Sequence, residues 1–390
     1  MNGAGKKVVV VTNSSSYEPR AEWVGELFKQ QGAQVLWVET DFIHREKVKK
    51  VRSAPDHMYI DTVPYRKNLS VRRLYSQYDF ARKAEKILEK EQADMVYMIL
   101  PANSLAAAGD RLKRKMNRAI LVFDILDLWP ESLGGKKLQK LWPFQCWRRL
   151  RDDHLKAADL VITECHYFQK FINAKQKKTA VVYWPKEVPE GWKMEAPENE
   201  APESPAVIHF AYLGSINNII DIDGIVNFLE ITGKMTPVFL HVVGDGENRG
   251  LFEEKLKSKG IKAEFYGAVY EEAVKAEIFS RCIFGINMMK PGVCVGLTMK
   301  SIDYFCYGLP LVNNIPGDTW ELVKQEQIGI NYRQDAALKC AQELLALAQS
   351  DRLKEIKYKM QSLYMKLFTQ EAAENVIRER VFPLLEGGPK

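Results

Sequence analysis

A chain of 390 residues is longer than one hydrophobic core usually covers, so two domains of roughly 150–200 residues are expected. With 46% hydrophobic and 27% charged residues, the composition excludes a disordered or low-complexity chain. The net charge of +6 is clumped, with "RKNLSVRR" at 66–73, "RLKRK" at 111–115, "WRRLR" at 147–151 and "KQKK" at 175–178 all in the first half. Such runs suit anionic headgroups, phosphorylated ligands or nucleic acid, and equally a set of solvated helix faces.

The apolar runs, such as "VVVVT" at 8–12 and "AILVF" at 119–123, fall far short of the ~20 residues that span a bilayer. The opening "MNGAGKKVVVVTNSSSYEP" lacks the apolar core of a signal peptide, so the expected location is cytoplasmic, including the inner face of the cell membrane. Six scattered cysteines, Cys146, Cys165, Cys282, Cys294, Cys306 and Cys340, form no C-x-x-C pair and read as packed thiols; no metal site is expected.

In chain order, strand patterns occur at 7–12, 34–38, 94–100, 119–124, 159–163 and 179–184, alternating with helical patterns such as "EWVGELFKQQG". Alternation of this kind predicts parallel strands joined by crossover helices. "PKEVPEGWKMEAPENEAPESP", at 185–205, then breaks the rhythm with five prolines and reads as a linker. Strands resume at 206–215, 238–243, 262–266, 283–288, 309–313 and 328–332. Beyond about 335 only helical patterns remain. The expected fold class is therefore α/β with two Rossmann-like domains: 1–184, the linker 185–205, then 206–366, with a last helix at 367–390 that returns to the first domain.

Open parallel sheets bind ligands at the carboxyl ends of their strands. Four loops of the second half have the right composition: "LGSINN" at 213–218, "VGDGEN" at 243–248, "YGAVY" at 266–270 and "PGVCVGLTMK" at 291–300. Gly244 and Gly246 bracket Asp245 in a G-x-G turn that either admits a ligand or simply closes a strand–helix connection. Gly296, Leu297, Thr298 and Met299 lead into "MKSIDYFCYG", a helix whose free amides and first-turn Lys300 suit a diphosphate. Asp303, three residues on and on the same face, is poor at holding phosphate but suits sugar hydroxyls. The competing reading is an ordinary Lys300–Asp303 ion pair within the helix.

In the first half, Asn13, Ser14 and Ser15 follow the first strand and either donate to hydroxyls or phosphate or cap the next helix. "DILDLWPES" places Asp124 and Asp127 at a strand end, with Trp129 offering a flat face of the sort sugars pack against; Pro130 and Glu131 also fit a plain helix start.

Taken in order and spacing, "FAYLGS", "HVVGDGENRGLFEEKL", "EFYGAV" and "GLTMKSIDYFCYGLPLV" resemble the C-terminal half of the retaining family 4 glycosyltransferases. "VFDILDLWPESL" at 122–133 looks like the D-x-W-P-E-S segment of bacterial members that build capsule, O-antigen and exopolysaccharide. The resemblance implies the GT-B architecture, with the nucleotide-sugar held mainly by the second domain and the acceptor by the first. It also implies retention at the anomeric carbon, no metal ion and no cofactor beyond the nucleotide-diphosphate sugar that serves as donor.

Residue by residue, the resemblance puts Gly214 and Ser215 near the donor phosphates, Gly244 to Gly246 in the cleft wall, and Tyr266, Gly267 and Val269 at the nucleobase. Lys300 and Asp303 match the end of a P-x-K-x-x-E run, with Asp in place of Glu, so Asp303 is assigned to the ribose hydroxyls. Lys300 and Asp127 are the catalytic candidates. Two positions depart from the pattern: Val295 stands where a carboxylate usually meets the donor sugar, and "SINNIIDID" lacks a customary Arg/Lys pair. A saccharide acceptor, lipid-linked and reached at an anionic membrane, fits the basic first half; nucleic acid is not expected as a partner. Two rival readings stay open, a nucleotide-sugar epimerase on the same architecture and a non-catalytic nucleotide-sugar-binding protein.

Overall fold

The computed structural model describes residues 5–116, 118–133, 139–172, 179–194 and 206–387. The basic run at 175–178 and the stretch 195–205 of the expected linker lie outside them. Two compact units are present, one of residues 1–183 and 373–390 and the other of residues 184–372.

In the first unit, β1 (Lys7–Thr12), β2 (Gln34–Thr40), β5 (His57–Ile60), β6 (Met95–Leu100), β7 (Ile120–Ile125), β8 (Leu160–Thr163) and β9 (Thr179–Val181) form one parallel sheet in the order β5-β2-β1-β6-β7-β8-β9. β3 (Phe42–Ile43) and β4 (Val48–Lys49) pair as a separate antiparallel ribbon. Helices α1 (Glu18–Gln30), α2 (Val71–Glu91) and α3 (Asn103–Lys115) connect the central strands. Val8 to Val11 are wholly buried, and β6 and β7 are buried along their entire length. Continuous β-branched and apolar runs of this kind are what a sheet covered on both faces requires.

The order of this sheet reverses between β1 and β6, the point at which open α/β sheets hold their ligands. Next to it lies a buried ion pair: Arg20 Nε donates to Asp124 Oδ2 at 2.9 Å, and the Tyr97 hydroxyl donates to the same oxygen at 2.6 Å. Neither charged side chain has any exposed surface. Asp124 is therefore a core residue tying α1 to β7, not an acceptor-side group as its place at a strand end suggests. The C-terminal residues complete this unit, with Phe382 packing against Phe28 and Arg380 donating to the Thr179 carbonyl at 2.8 Å.

The second unit has a six-stranded parallel sheet of β10 (Ile208–Leu213), β11 (Val238–Val243), β12 (Lys262–Gly267), β13 (Phe284–Asn287), β14 (Leu311–Asn313) and β15 (Gly329–Asn331) in the order β12-β11-β10-β13-β14-β15. Its reversal lies between β10 and β13. Phe210 at the centre contacts Phe228 on the helix Ile222–Gly233 and Phe284 on β13. Residues 185–194 read as exposed linker, yet they are anchored here: Lys186 N donates to Phe368 O at 2.8 Å, and Trp192 Nε1 donates to Cys306 O at 2.9 Å. Packing the half-buried Trp192 ring against Tyr364 outweighs the loose composition of that stretch.

Asp124→Ala leaves Arg20 charged and unmatched in the core, so it should destabilise the protein by about 3–5 kcal/mol. The checking measurement is a urea melt of parent and variant; coincident midpoints would show that the pair contributes nothing.

Candidate functional site

The loops at the carboxyl ends of β10, β11 and β12 and the helix Met299–Cys306 enclose a cavity of about 430 Å³ within the second unit. Gly214 and Ser215 after β10, Gly244 and Asp245 after β11, and Val269 after β12 line it. Met299, Lys300 and Asp303 supply the helical wall. These positions, drawn from four separate loops of the sequence, share one edge because all four strands are parallel. The need for glycine at 244 is steric: a Cβ there would lie 2.0 Å from the Gly214 carbonyl oxygen, so no larger residue lets the two loops come together. The G-x-G turn thus both closes the strand–helix connection and shapes the cavity.

Thr298 caps the helix by accepting from Ser301 N at 3.2 Å, and its hydroxyl donates to Asn287 Oδ1 at 3.1 Å. Asn287 stands in register with Asn313, and Asn313 with Asn331, at the ends of β13, β14 and β15. Their amides form a buried chain, Asn287 Nδ2 donating to Asn313 Oδ1 and Asn313 Nδ2 to Asn331 Oδ1, each at 3.0 Å. The chain fixes the amino end of the helix to the sheet. Thr298 is accordingly a positioning residue whose hydroxyl is already engaged. One turn on, the Tyr304 ring fills the space left by Gly285, and its hydroxyl accepts from Leu213 N at 2.8 Å.

Lys300 is held in the first turn of this fixed helix. Its Nζ is buried without a hydrogen-bond partner and stands 4.7 Å from the centre of the Tyr212 ring. Burial alone brings its pKa down to about 7. The ion pair with Asp303 that the i,i+3 spacing allows does not form among the described residues. Asp303 is taken instead by Lys186, in intimate contact, and lies 3.9 Å from Lys275. Lys275 also pairs with Glu272, which accepts from the Tyr307 hydroxyl at 2.7 Å. Lys186 and Lys275 were not legible as site residues: one falls in the proline-rich stretch 117 residues before Asp303, the other on an unremarkable helix, Glu272–Ser280.

Several expected donor-side residues do not reach the cavity. The Tyr266 hydroxyl is held between His241 Nδ1 and Glu264 Oε2, both at 2.7 Å, because its side chain leaves β12 away from the cavity; Ala268, Val269 and Tyr270 form that wall. Gly246 packs against the Ile216 carbonyl, while Gly296 uses its own carbonyl to accept from the backbone and hydroxyl of Thr319, each at 3.0 Å. Gly267 and Leu297 turn the chain beside the cavity without lining it.

In the first unit, Asn13, Ser14 and Ser15 form a half-buried loop after β1, with Ser15 Oγ accepting from His44 N at 3.2 Å. Asp127 accepts from Trp129 Nε1 at 2.5 Å, and burial raises its carboxyl above the usual range. The face of Trp129 is not open to a sugar: the Arg73 guanidinium covers it at 3.8 Å, and Trp147 meets it edge-on. Tyr17 and Arg73, which the sequence did not single out, both act electrostatically on or with Asp127. Burial raises the Tyr17 phenol and lowers Arg73. Arg73 Nε is buried without a partner.

No protein-family model matches the sequence, and no curated protein matches it. Solved structures do. The lipopolysaccharide outer core galactosyltransferase WaaB, in its apo form, superposes with a TM-score of 0.66 at 15% identity, over 97% of this chain and 99% of that one. HepE of Anabaena, determined with UDP and glucose, gives 0.61 at 13% identity over 96% and 98%. The pneumococcal O-GlcNAc transferase GtfA, determined with UDP and GlcNAc, gives 0.60 at 11% over 98% and 99%. The fold is GT-B. At this level of identity it is the architecture that is shared, over essentially the whole of each chain.

Lys300 also sets a stability test. Its folded pKa of about 7 lies below its ordinary value of 10.5, so the unfolded chain binds more protons between those limits and stability rises with pH across that window. Lys300→Met removes the penalty. The variant should melt higher than the parent at pH 7 and below, with the gap closing toward pH 10; a gap that is absent, or that widens with pH, would contradict the burial of an unmatched ammonium.

Proposed function

We propose that this chain is a glycosyltransferase that moves a sugar from a nucleoside-diphosphate sugar to a saccharide acceptor in the assembly of a cell-surface polysaccharide. The observation that carries the reading is Lys300: an ammonium buried at a cavity wall with no partner costs the fold free energy, and an anionic ligand removes that cost. The ligand's class follows from the surroundings. First-turn amides left over by Thr298, with Lys300 and Lys275 lining the same cavity, suit a diphosphate. Asp303 offers acceptor oxygens to ribose hydroxyls, and Val269 and Tyr270 give a nucleobase a surface to lie on. The shared architecture with HepE and GtfA, each determined with UDP, supports the same class of donor.

In the transfer, the bond between the anomeric carbon and the diphosphate breaks, the acceptor hydroxyl oxygen bonds to that carbon, its proton passes to the departing diphosphate, and negative charge grows on the departing phosphoryl oxygen as the bond breaks. Lys300 and the helix amides are preorganised to stabilise that charge, which is the residues' share of the chemistry and needs no metal ion. Retention at the anomeric carbon rests on the family 4 motifs of the second half. Asp127, its carboxyl raised by burial, is assigned to the acceptor hydroxyl. The basic first half and its phosphate-suited surface favour a lipid-linked acceptor. Val295 favours one second reading, a nucleotide-sugar-binding protein without transfer, since no carboxylate stands at that position.

Lys300→Ala removes a charge-assisted contact worth about 1.5–3 kcal/mol, so the affinity for a nucleoside-diphosphate sugar at pH 7 should fall roughly 10- to 100-fold. In the parent, affinity should decline as pH rises above 7, where the free lysine loses its proton; calorimetric titration of a panel of uridine and guanosine donors measures both. Equal affinity of parent and variant would sink the assignment. For Asp303→Ala, the expected loss is selective: preference for UDP over its dideoxyribose analogue should vanish while the diphosphate is still bound. A retained preference would place the ribose elsewhere.

A further inference from the structure

We propose that the amino-terminal half of α2, together with the basic cavity beside it, is the surface through which this chain sits on an anionic membrane. The inference deepens the lipid-linked acceptor of the proposed function by naming where the lipid phase is met. It starts from an inversion in α2. A surface helix ordinarily buries its apolar stripe and exposes its polar face. In the first two turns the buried face carries Arg73, Ser76 and Gln77, before Phe80, Ala81, Ala84 and Leu88 restore an apolar one, while Val71, Leu74, Tyr75 and Tyr78, at i, i+3, i+4 and i+7, are exposed. Val71 keeps 83% of its surface in contact with solvent and Tyr75 56%. Leu69, just before the helix, adds a fifth exposed apolar side chain. Among the described residues one hydrogen bond engages it, from Arg82 Nη1 to the Tyr78 hydroxyl at 3.5 Å.

Next to it, Lys47, Arg66, Lys67 and Arg72 line a cavity of about 650 Å³ with Pro64, Tyr65 and Ser70. Among the described residues no carboxylate lines it and none of the four cations is in an ion pair. Some surface cations elsewhere in the unit are matched, as in Lys83–Asp79, Arg111–Glu85 and Lys50–Glu46, while others, such as Lys86, Arg148 and Arg149, are exposed and in no ion pair among the described residues; what sets these four apart is that they converge on one hollow. Behind the cavity, Arg73 lies 5.5 Å from the Tyr65 ring with its Nε buried and unpartnered. Unmatched cations around a hollow, beside an apolar stripe ending in two tyrosines, are complementary to phosphate headgroups at the edge of an acyl layer. A soluble polyanion would match the cations and leave the stripe unused. Lys47 donates to Asn68, and Arg72 Nε donates to the Pro64 carbonyl at 2.7 Å, which holds the cavity open at the helix start.

The test is flotation of the full chain with vesicles of phosphatidylcholine alone and of an equal mixture with phosphatidylglycerol. The chain should float with the mixed vesicles at low salt and stay down with the neutral ones. Lys67→Ala with Arg72→Ala should weaken the partition roughly 25-fold, about fivefold for each cation near the surface. Leu74→Ser with Tyr75→Ser should weaken it too, at unchanged charge. All four positions are exposed, and UDP binding followed by thermal shift in the same variants reports folding and the donor site separately: flotation without UDP binding would defeat the donor assignment alone. The proposal is overturned by equal flotation on neutral vesicles, by variants that float like the parent, by release with inorganic phosphate at matched ionic strength, or by a dimer that Leu74→Ser with Tyr75→Ser dissolves.

Discussion

One ammonium without a counter-charge organises the second unit. Lys300 is drawn into the structure by a helix that has no freedom to withdraw it: Thr298 caps the helix, the asparagine chain of β13, β14 and β15 holds the cap, and Tyr304 locks the next turn over Gly285. The same elements would rigidly position an acidic partner at 303 to neutralise the lysine. They do not, because Lys186 has already claimed that carboxylate. The charge that remains is therefore available to a ligand, and the protein carries the cost of keeping it so. Exchange of stability for a preorganised electrostatic site is a general feature of catalytic centres.

The two units use the point of strand reversal differently. In the second, the loops leaving β10 and β11 approach so closely that only glycine fits at 244, and the space beyond becomes a cavity. In the first, the corresponding ground is occupied by Arg20, Asp124 and Tyr97, a closed set of charges and hydroxyl that satisfies itself. Polar groups at equivalent places in two similar sheets thus serve opposite ends, one sealed into the core and the other left open. Beyond that set, Asp127 and Tyr17 lie in the loops after β7 and β1, with Arg73 of α2 acting on both.

Much of the architecture was legible because parallel strands buried on both faces are written as unbroken apolar runs. Lys7–Thr12 and Val238–Val243 have the limits that their sequences imply. β5 was not read, since "HMYI" is a half-exposed strand at the edge of the sheet, paired to β2. At the site, Lys300 and the small residues of the strand-end loops were legible from helix-terminus chemistry. The partners were not: that Lys186 would reach Asp303 depends on Trp192 and Tyr364 fastening a proline-rich stretch whose composition looks solvated. Asp124 and Trp129 misled for a related reason. A strand-end carboxylate and a flat indole look the same in sequence whether Arg20 and Arg73 cover them or a ligand does.

If Lys300 is neutral for much of the time when the cavity is empty and fully charged when it grips a diphosphate, then binding must draw a proton from solution. Calorimetric titration of UDP at pH 8, repeated in buffers of different ionisation enthalpy, counts that proton. The account predicts an uptake of roughly one proton in the parent, since a free pKa of about 7 leaves the group mostly deprotonated there, and none in Lys300→Met. Tight binding of UDP by the parent with no proton taken up would contradict it.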